Sequence, residues 1–371
     1  MTRLSRNLLT LGVALLAARF VPPWWCAREA PALWGDDAEL HHKIAAGLAE
    51  NLGVEGGVFS TGNPQFDGEW WFGTFQMTAI ALDQMAALHP ADRDRYVALA
   101  DIAIERMLSR EVRQFDARSW SEDPLDGIEG ENGHAAWLGY TALALTIHLQ
   151  VAPESRWSAT EQLLIQHLAR RFDGEPLLLQ TYPGERYPVD NAAGLSAIAL
   201  HDRLTGDDHS ALLLDWTRRY RERFIGPSGL LLQSISADGR VVDGERGSGT
   251  LLAAWFFSFS LPDLSRQLWT ASYQLRGDTL GFGMMREYPP GVDGSGDIDS
   301  GPVILGYGIS PTGFAMGVAR AWGDEGTFHD LFATATLFGG PVDTSGARHY
   351  VSGGPLGDAL LAAMFTTRRA P

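Results

Sequence analysis

Cysteine is almost missing from this chain. The one thiol, Cys26, excludes an internal disulfide, a cysteine-based zinc site and a dithiol pair. Its place near the N-terminus also keeps a thiol out of any active site formed by the rest. Positive charge is scarce too: 29 Lys and Arg against 45 Asp and Glu leave a net charge of −16. That sign argues against a nucleic-acid partner, which needs a basic face. No Gly-rich phosphate loop with a following Lys occurs, nor a G-x-S-x-G elbow, nor an H-E-x-x-H helix. Ser248, in Gly-Ser-Gly, has no evident partner base.

A hydrophobic share of 45% with 20% charged residues belongs to a globular protein with a large core. Ahead of that core, Arg3 and Arg6 precede an apolar run from Leu8 to Ala18. The run is short for a membrane span and fits a signal-peptide core. Residues 1–32 are therefore expected to be a leader, with Ala30-Pro31-Ala32 as a small-x-small site, and residues 33–371 a single domain. An exported protein, periplasmic or envelope-associated, follows. The alternative is a retained N-terminal anchor.

The organising stretch is residues 177–200, LLLQTYPGERYPVDNAAGLSAIAL. An apolar strand-like piece passes through a Tyr/Pro/Gly turn to Asp190-Asn191 and a helix of small and apolar residues. Gln180 and Asp190 recur as Gln233 and Asp243, and Tyr182-Pro183 returns at twice that offset as Tyr288-Pro289. Such periodicity marks a repeat architecture. Helices are expected at 36–52, 70–88, 91–110, 132–149, 158–172, 190–204, 207–224, 247–260, 262–276, 310–322, 326–338 and 356–365. They alternate between one charged face and none, so six helices are wholly surrounded by protein and six are half-exposed. Two concentric rings of helical hairpins satisfy both sets: an all-α (α/α)6 toroid with small β-hairpins in its long loops. Connections from an apolar to a charged helix are short, whereas the reverse run roughly 15 to 30 residues and read as functional loops. All the long ones fall on one rim.

The rim gathers acids and aromatics at the N-termini of the buried helices. Asp67, Asp190 and Asp343 suit helix caps. Caps do not account for GIEGENGH, with Glu129, Glu131 and His134, nor for GVDGSGDIDSG, with Asp293, Asp297 and Asp299. Helix dipoles favour ionised carboxylates there, while crowding and desolvation raise some pKa values, the division two-carboxylate catalysis requires. Glu131 is the candidate acid, desolvated by the uncharged helix beside it, and Asp190 or Asp299 the candidate base. Asp67, Glu69, Trp70, Trp71, Trp120, His134, Tyr187, Asn191, Glu245, Arg246, Tyr288 and Asp297 are candidate substrate contacts. No cofactor is expected; Asp293, Asp297 and Asp299 offer a calcium alternative, although their spacing departs from the calcium-loop pattern and no Glu closes it.

This arrangement resembles the six-hairpin (α/α)6-toroid superfamily over about residues 36–366. The superfamily includes glycoside hydrolases, polysaccharide lyases, sugar epimerases and a terpene alcohol dehydratase-isomerase. The resemblance is architectural and assigns no individual residue. It implies first an exported carbohydrate-active enzyme, a glycoside hydrolase with paired rim carboxylates acting on a small-molecule or oligosaccharide substrate. The second expectation is a lyase, isomerase or dehydratase on the same scaffold with a sugar or terpenoid substrate, for which Tyr182, Tyr187 and His134 suit proton abstraction. The third is a non-catalytic envelope protein that binds a glycan or a protein.

Overall fold

In the computed structural model, residues 3–298 and 300–370 are described. Helices α1 (Arg3–Cys26) and α2 (Ala30–Trp34) lead into the first of six helical hairpins, α3 (Ala38–Asn51) with α4 (Pro64–Leu88). The second pairs α5 (Arg93–Met107) with α7 (Ala135–Val151), the short α6 (Gln114–Trp120) lying between them. Then follow α8 (Ser158–Phe172) with α9 (Pro188–Thr205), α10 (Ser210–Phe224) with α11 (Gly247–Ser258), α12 (Pro262–Ser272) with α13 (Ile309–Trp322), and α14 (Glu325–Gly339) with α15 (Gly354–Phe365).

The second member of each hairpin is inner. Helix α7 packs against α4 and α9, α9 against α11, α11 against α13, α13 against α15, and α15 returns to α4. The ring closes, and the (α/α)6 toroid expected from the apolar alternation is the fold. Small residues let inner helices approach: a Cβ on Gly139 of α7 would lie 2.9 Å from the Gly194 nitrogen and 3.0 Å from the Asp190 carbonyl of α9. Both distances are shorter than close-packed atoms tolerate.

All inner helices start at one rim and end at the opposite floor. Floor connections are tight; α9 stops at Gly206, whose φ of +84° suits glycine. Buried histidines pin the floor. His148 Nδ1 sits 3.0 Å from Asp83 Oδ1, and His201 Nδ1 sits 2.9 Å from Glu161 Oε1. Chain ends meet there as well: Arg320 donates to the Leu33 carbonyl (2.6 Å) and the Thr367 carbonyl (3.1 Å), and pairs with Asp36.

Rim connections hold all the strands among the described residues. Strands β1 (Glu185–Arg186), β2 (Leu232–Ser236) and β3 (Val241–Glu245) form one antiparallel sheet in that order. Strands β4 (Arg276–Thr279), β5 (Phe282–Arg286), β6 (Val303–Ile304) and β7 (Tyr307–Gly308) form a second, ordered β4-β5-β7-β6. A hairpin of β8 (Pro341–Thr344) and β9 (Ala347–Tyr350) is the third.

Several local expectations change. Helix α4 begins at Pro64, capped by Asn63, so Asp67 and Glu69 lie on the helix rather than in a loop. Residues 111–131 are not all loop, since α6 lies among them. Asp343 is on β8, bonded 2.6 Å to Arg348, and caps no helix. The 53-residue period holds from the start of α7 at Ala135 to that of α9 at Pro188, but α11 begins 59 residues later at Gly247 because a full β-hairpin intervenes. Residues 29–32, placed on the leader side of the expected boundary, pack into the toroid together with Leu33: Ala30 is buried, and Glu29 bonds Arg348 at 2.6 Å.

Candidate active site

Asp190 sits in the first turn of α9, just after Pro188, which favours a helix start. It does not cap the helix. Its Oδ1 accepts from the Tyr140 hydroxyl at 2.7 Å and its Oδ2 from Thr181 Oγ1 at 2.6 Å. Burial pushes its pKa up to about 6, against the pull of those two hydrogen bonds. A carboxyl raised in this way can hold a proton well above the ordinary carboxylate range, which a proton donor requires.

Thr181 is delivered by the segment that opens the 177–200 stretch. Asn191 clamps that segment, accepting from the Leu179 amide (2.8 Å) and donating to the Leu179 carbonyl (3.1 Å). The next residue, Tyr182, donates its hydroxyl to Glu69 Oε2 at 2.6 Å. Burial, with Glu69 close by, holds the Tyr182 phenol well above its usual pKa, so it stays protonated.

His134 precedes α7 with φ +48° and is wholly buried. Its Nδ1 meets the buried Asp116 carboxylate of α6. Burial raises the Asp116 pKa and the histidine bond pulls it back. With Nδ1 so engaged, the proton belongs on that nitrogen and the lone pair on Nε2. Among the described residues Nε2 has no hydrogen-bond partner, and Glu122 Oε2 lies 3.7 Å away. Trp120 stands beside the imidazole at 5.1 Å between ring centres and donates its indole N–H to the Thr181 carbonyl at 3.2 Å. The His134–Asp116 pair and the Asp190 group are thus joined through Thr181.

A second polar group stands over α11. Glu287, fully buried, accepts from Arg246 Nε (2.6 Å) and Ser248 Oγ (2.6 Å). Arg246 also reaches Asp243 (2.8 Å) and Asp297 (3.1 Å) and lies over the Tyr288 ring at 4.8 Å. Asp297 lines a rim cavity of about 650 Å3 together with Phe59, Trp70, Ile298, Pro302 and Pro355. Trp70, which lines this cavity, follows Glu69 in sequence on α4. A smaller cavity of about 180 Å3 lies at the floor, beside Asp83, Gln84 and Arg203. It is at the opposite end from the Asp190 cluster.

The expected site residues thus divide. Asp190, Glu69, Trp120 and His134 belong to the groups around Thr181 and Tyr182, Arg246, Tyr288 and Asp297 to the group over α11, and Trp70 and Asp297 line the cavity. Glu131 is exposed, so the desolvation expected for it is absent. Its loop is wound instead around Arg171, which donates to the carbonyls of Ile128 (2.8 Å), Gly130 (3.0 Å) and Asn132 (2.9 Å). Asp67 accepts from the Thr61 amide at 2.6 Å and closes a loop. Trp71 is buried, its indole bonded to the Val54 carbonyl at 2.9 Å. Glu245 is engaged by Ser228 and Leu230. Asn191 is a structural clamp, and Tyr187 bonds Glu185 at 3.0 Å. Asp299 lies outside the described residues. The calcium arrangement is not formed by its other two members: Asp297 is taken by Arg246 and by the Ser300 amide (2.8 Å), while Asp293 is exposed.

Tyr140, Thr181, Asp116 and Glu287 were not among the candidates. Thr181 lay within the organising stretch. A lone polar ring such as Tyr140 in an apolar helix was the available signal for the first of them.

A family model described as linalool dehydratase/isomerase matches residues 140–354, a span that begins at Tyr140 and contains Thr181, Asp190 and Glu287. No curated protein sequence matches. Among solved structures, the chain is similar to an inactive variant of a Salegentibacter alpha-1,6-mannanase in complex with alpha-1,6-mannotriose. The two share 12% identity at a TM-score of 0.53, covering 88% of this chain and 99% of that one. A Listeria innocua protein gives 11% identity and a TM-score of 0.53 over 87% and 96% of the two chains. At such identities these likenesses bear on the fold, and both agree with the toroid.

Proposed function

The chain belongs to the linalool dehydratase/isomerase family, and from that premise we propose that its rim cluster removes or relocates the hydroxyl group of a small alkenol by acid–base chemistry. The observation that carries this reading is Asp190, a buried carboxyl with a pKa of about 6 set among hydroxyl groups. Protonated Asp190 gives its proton to the substrate hydroxyl, and the carbon–oxygen bond breaks with its electron pair leaving as water. His134 Nε2, its ring oriented by Asp116, accepts a proton from the neighbouring carbon, giving an alkene. In the isomerisation branch, water instead adds at the far allylic carbon and loses a proton. Asp190 and His134 then return to their starting protonation states by exchange with water. Tyr182, held by Glu69, is placed to orient the hydroxyl. Phe59, Trp70 and Pro302 offer apolar walls for the hydrocarbon.

The test is to incubate the purified protein with linalool and follow alkene and isomeric alcohol by gas chromatography. Asp190→Asn is expected to lower turnover by about 100-fold or more, the usual scale for a lost general acid. Release of mannose from alpha-1,6-mannotriose, with no turnover of alkenols, would replace this reading by the glycosidase one.

A further inference from the structure

Helix α1 stands outside the six hairpins, and its surface is apolar around its whole circumference. Leu8, Leu9, Leu11, Val13, Leu16 and Val21 are all more than half exposed, and at 3.6 residues per turn they are spread around the helix with no gap wider than about 80°. A helix meant for a protein groove, or for the plane of a membrane surface, keeps one polar face. Between Leu8 and Ala18, α1 has none. Its single hydroxyl there, Thr10, bonds back to the Arg6 carbonyl at 2.9 Å.

The flanks fit a lipid surrounding. Arg6 precedes the apolar run, and no acid occurs before Glu29. Trp24 and Trp25 are exposed near the toroid end, with the Arg28 guanidinium 4.5 Å from the Trp25 ring, as in the aromatic belt of a membrane interface. From Arg6 to Arg19, which meets the toroid at Asp278, a helix rises about 20 Å, enough to enter the roughly 30 Å of a hydrocarbon core. The one interior charge, Arg19, is paired with Asp278 of the β4–β5 hairpin at 3.1 Å.

The join to the toroid opposes removal of α1. The Glu29 carboxylate serves Arg348, the Leu33 carbonyl serves Arg320, and Trp34 packs on Phe328 at 5.4 Å. A cut at Ala30-Pro31-Ala32 would strip Glu29 from a buried arginine. We propose that α1 is a retained anchor that inserts into a lipid bilayer and holds the toroid at the membrane surface. This rests on α1 and its join alone and does not depend on the rim chemistry.

The full chain is expressed, its intact mass measured, and the purified protein mixed with phosphatidylcholine vesicles for flotation at high salt and after carbonate extraction. The expected result is an intact N-terminus, apart from the initiator methionine, and flotation under both conditions. The double variant Leu15→Asp, Leu16→Asp is expected to lower the floating fraction more than ten-fold, since an acid at mid-span is strongly disfavoured. Its thermal midpoint should match the parent, because neither side chain is buried in the toroid. A mature mass lacking α1 overturns the proposal. So does release from vesicles by carbonate, or a soluble oligomer that forms through α1 and leaves vesicles unoccupied.

Discussion

Asp190 shows how a few contacts set the behaviour of a carboxyl group. Burial alone drives its pKa upward, and Tyr140 and Thr181 restrain it by donating to the charged form. If protonated Asp190 is the acid, turnover should fall as pH rises through about 6. Tyr140→Phe removes one restraining donor, so that fall should move to higher pH, as a pH–rate profile would show; an unmoved profile would mean that another group supplies the proton. The same shift has a stability consequence. A folded pKa above the unfolded value near 3.8 contributes stability below pH 3.8 that is lost as pH rises through about 6. Asp190→Asn should thus be relatively more stable than the parent at pH 7 than at pH 4, by on the order of 3 kcal/mol at most, readable from urea melts at the two pH values.

Helices are the scale at which this chain was most legible. The alternation of charged-faced and apolar segments placed all twelve ring helices, because burial on every side leaves a compositional mark that tertiary contacts do not erase. Polar connections carry no such mark. Residues 111–131 look like loop, yet Phe115 and Asp116 are buried on α6 because Asp116 has His134 to meet. Glu131 looked desolvated from its neighbours in sequence, but its loop turns outward around Arg171, a residue forty positions on. Site geometry depended on such long-range pairings: Asp190, His134, Glu69 and Tyr182 stood out as rim residues, whereas Tyr140, Thr181 and Asp116, which engage them from elsewhere in the chain, did not. Packing between helices can be tested at Gly139. Gly139→Ala would press a methyl group into the Asp190 carbonyl and the Gly194 backbone, and a clash of this kind costs about 1–3 kcal/mol. A lower thermal midpoint together with lost turnover is expected, since α7 carries Tyr140 and α9 carries Asp190.

At the scale of the whole molecule, closure depends on a small number of buried polar joints. Arg320 of α13 holds the segment ahead of α3 and the segment after α15 at once, through the Leu33 and Thr367 carbonyls and the Asp36 carboxylate. Arg320→Met would leave these acceptors unpaired in the floor. Breaking a buried charge-assisted set costs about 3–5 kcal/mol, so the urea midpoint should drop and protease should cut first near residues 30–37 or 366–370. Cleavage confined to the rim loops would contradict that account.

The meeting of residue 33 with residue 367 at Arg320 also bears on how the polypeptide could be rewired. A ring whose beginning and end lie side by side treats its linear order as arbitrary. A linker from the C-terminal tail to Arg28, which keeps Glu29 and Leu33 with their arginines, with new termini opened at the Thr205-Gly206 turn, should yield a permuted protein with its twelve ring helices and its basin unaltered.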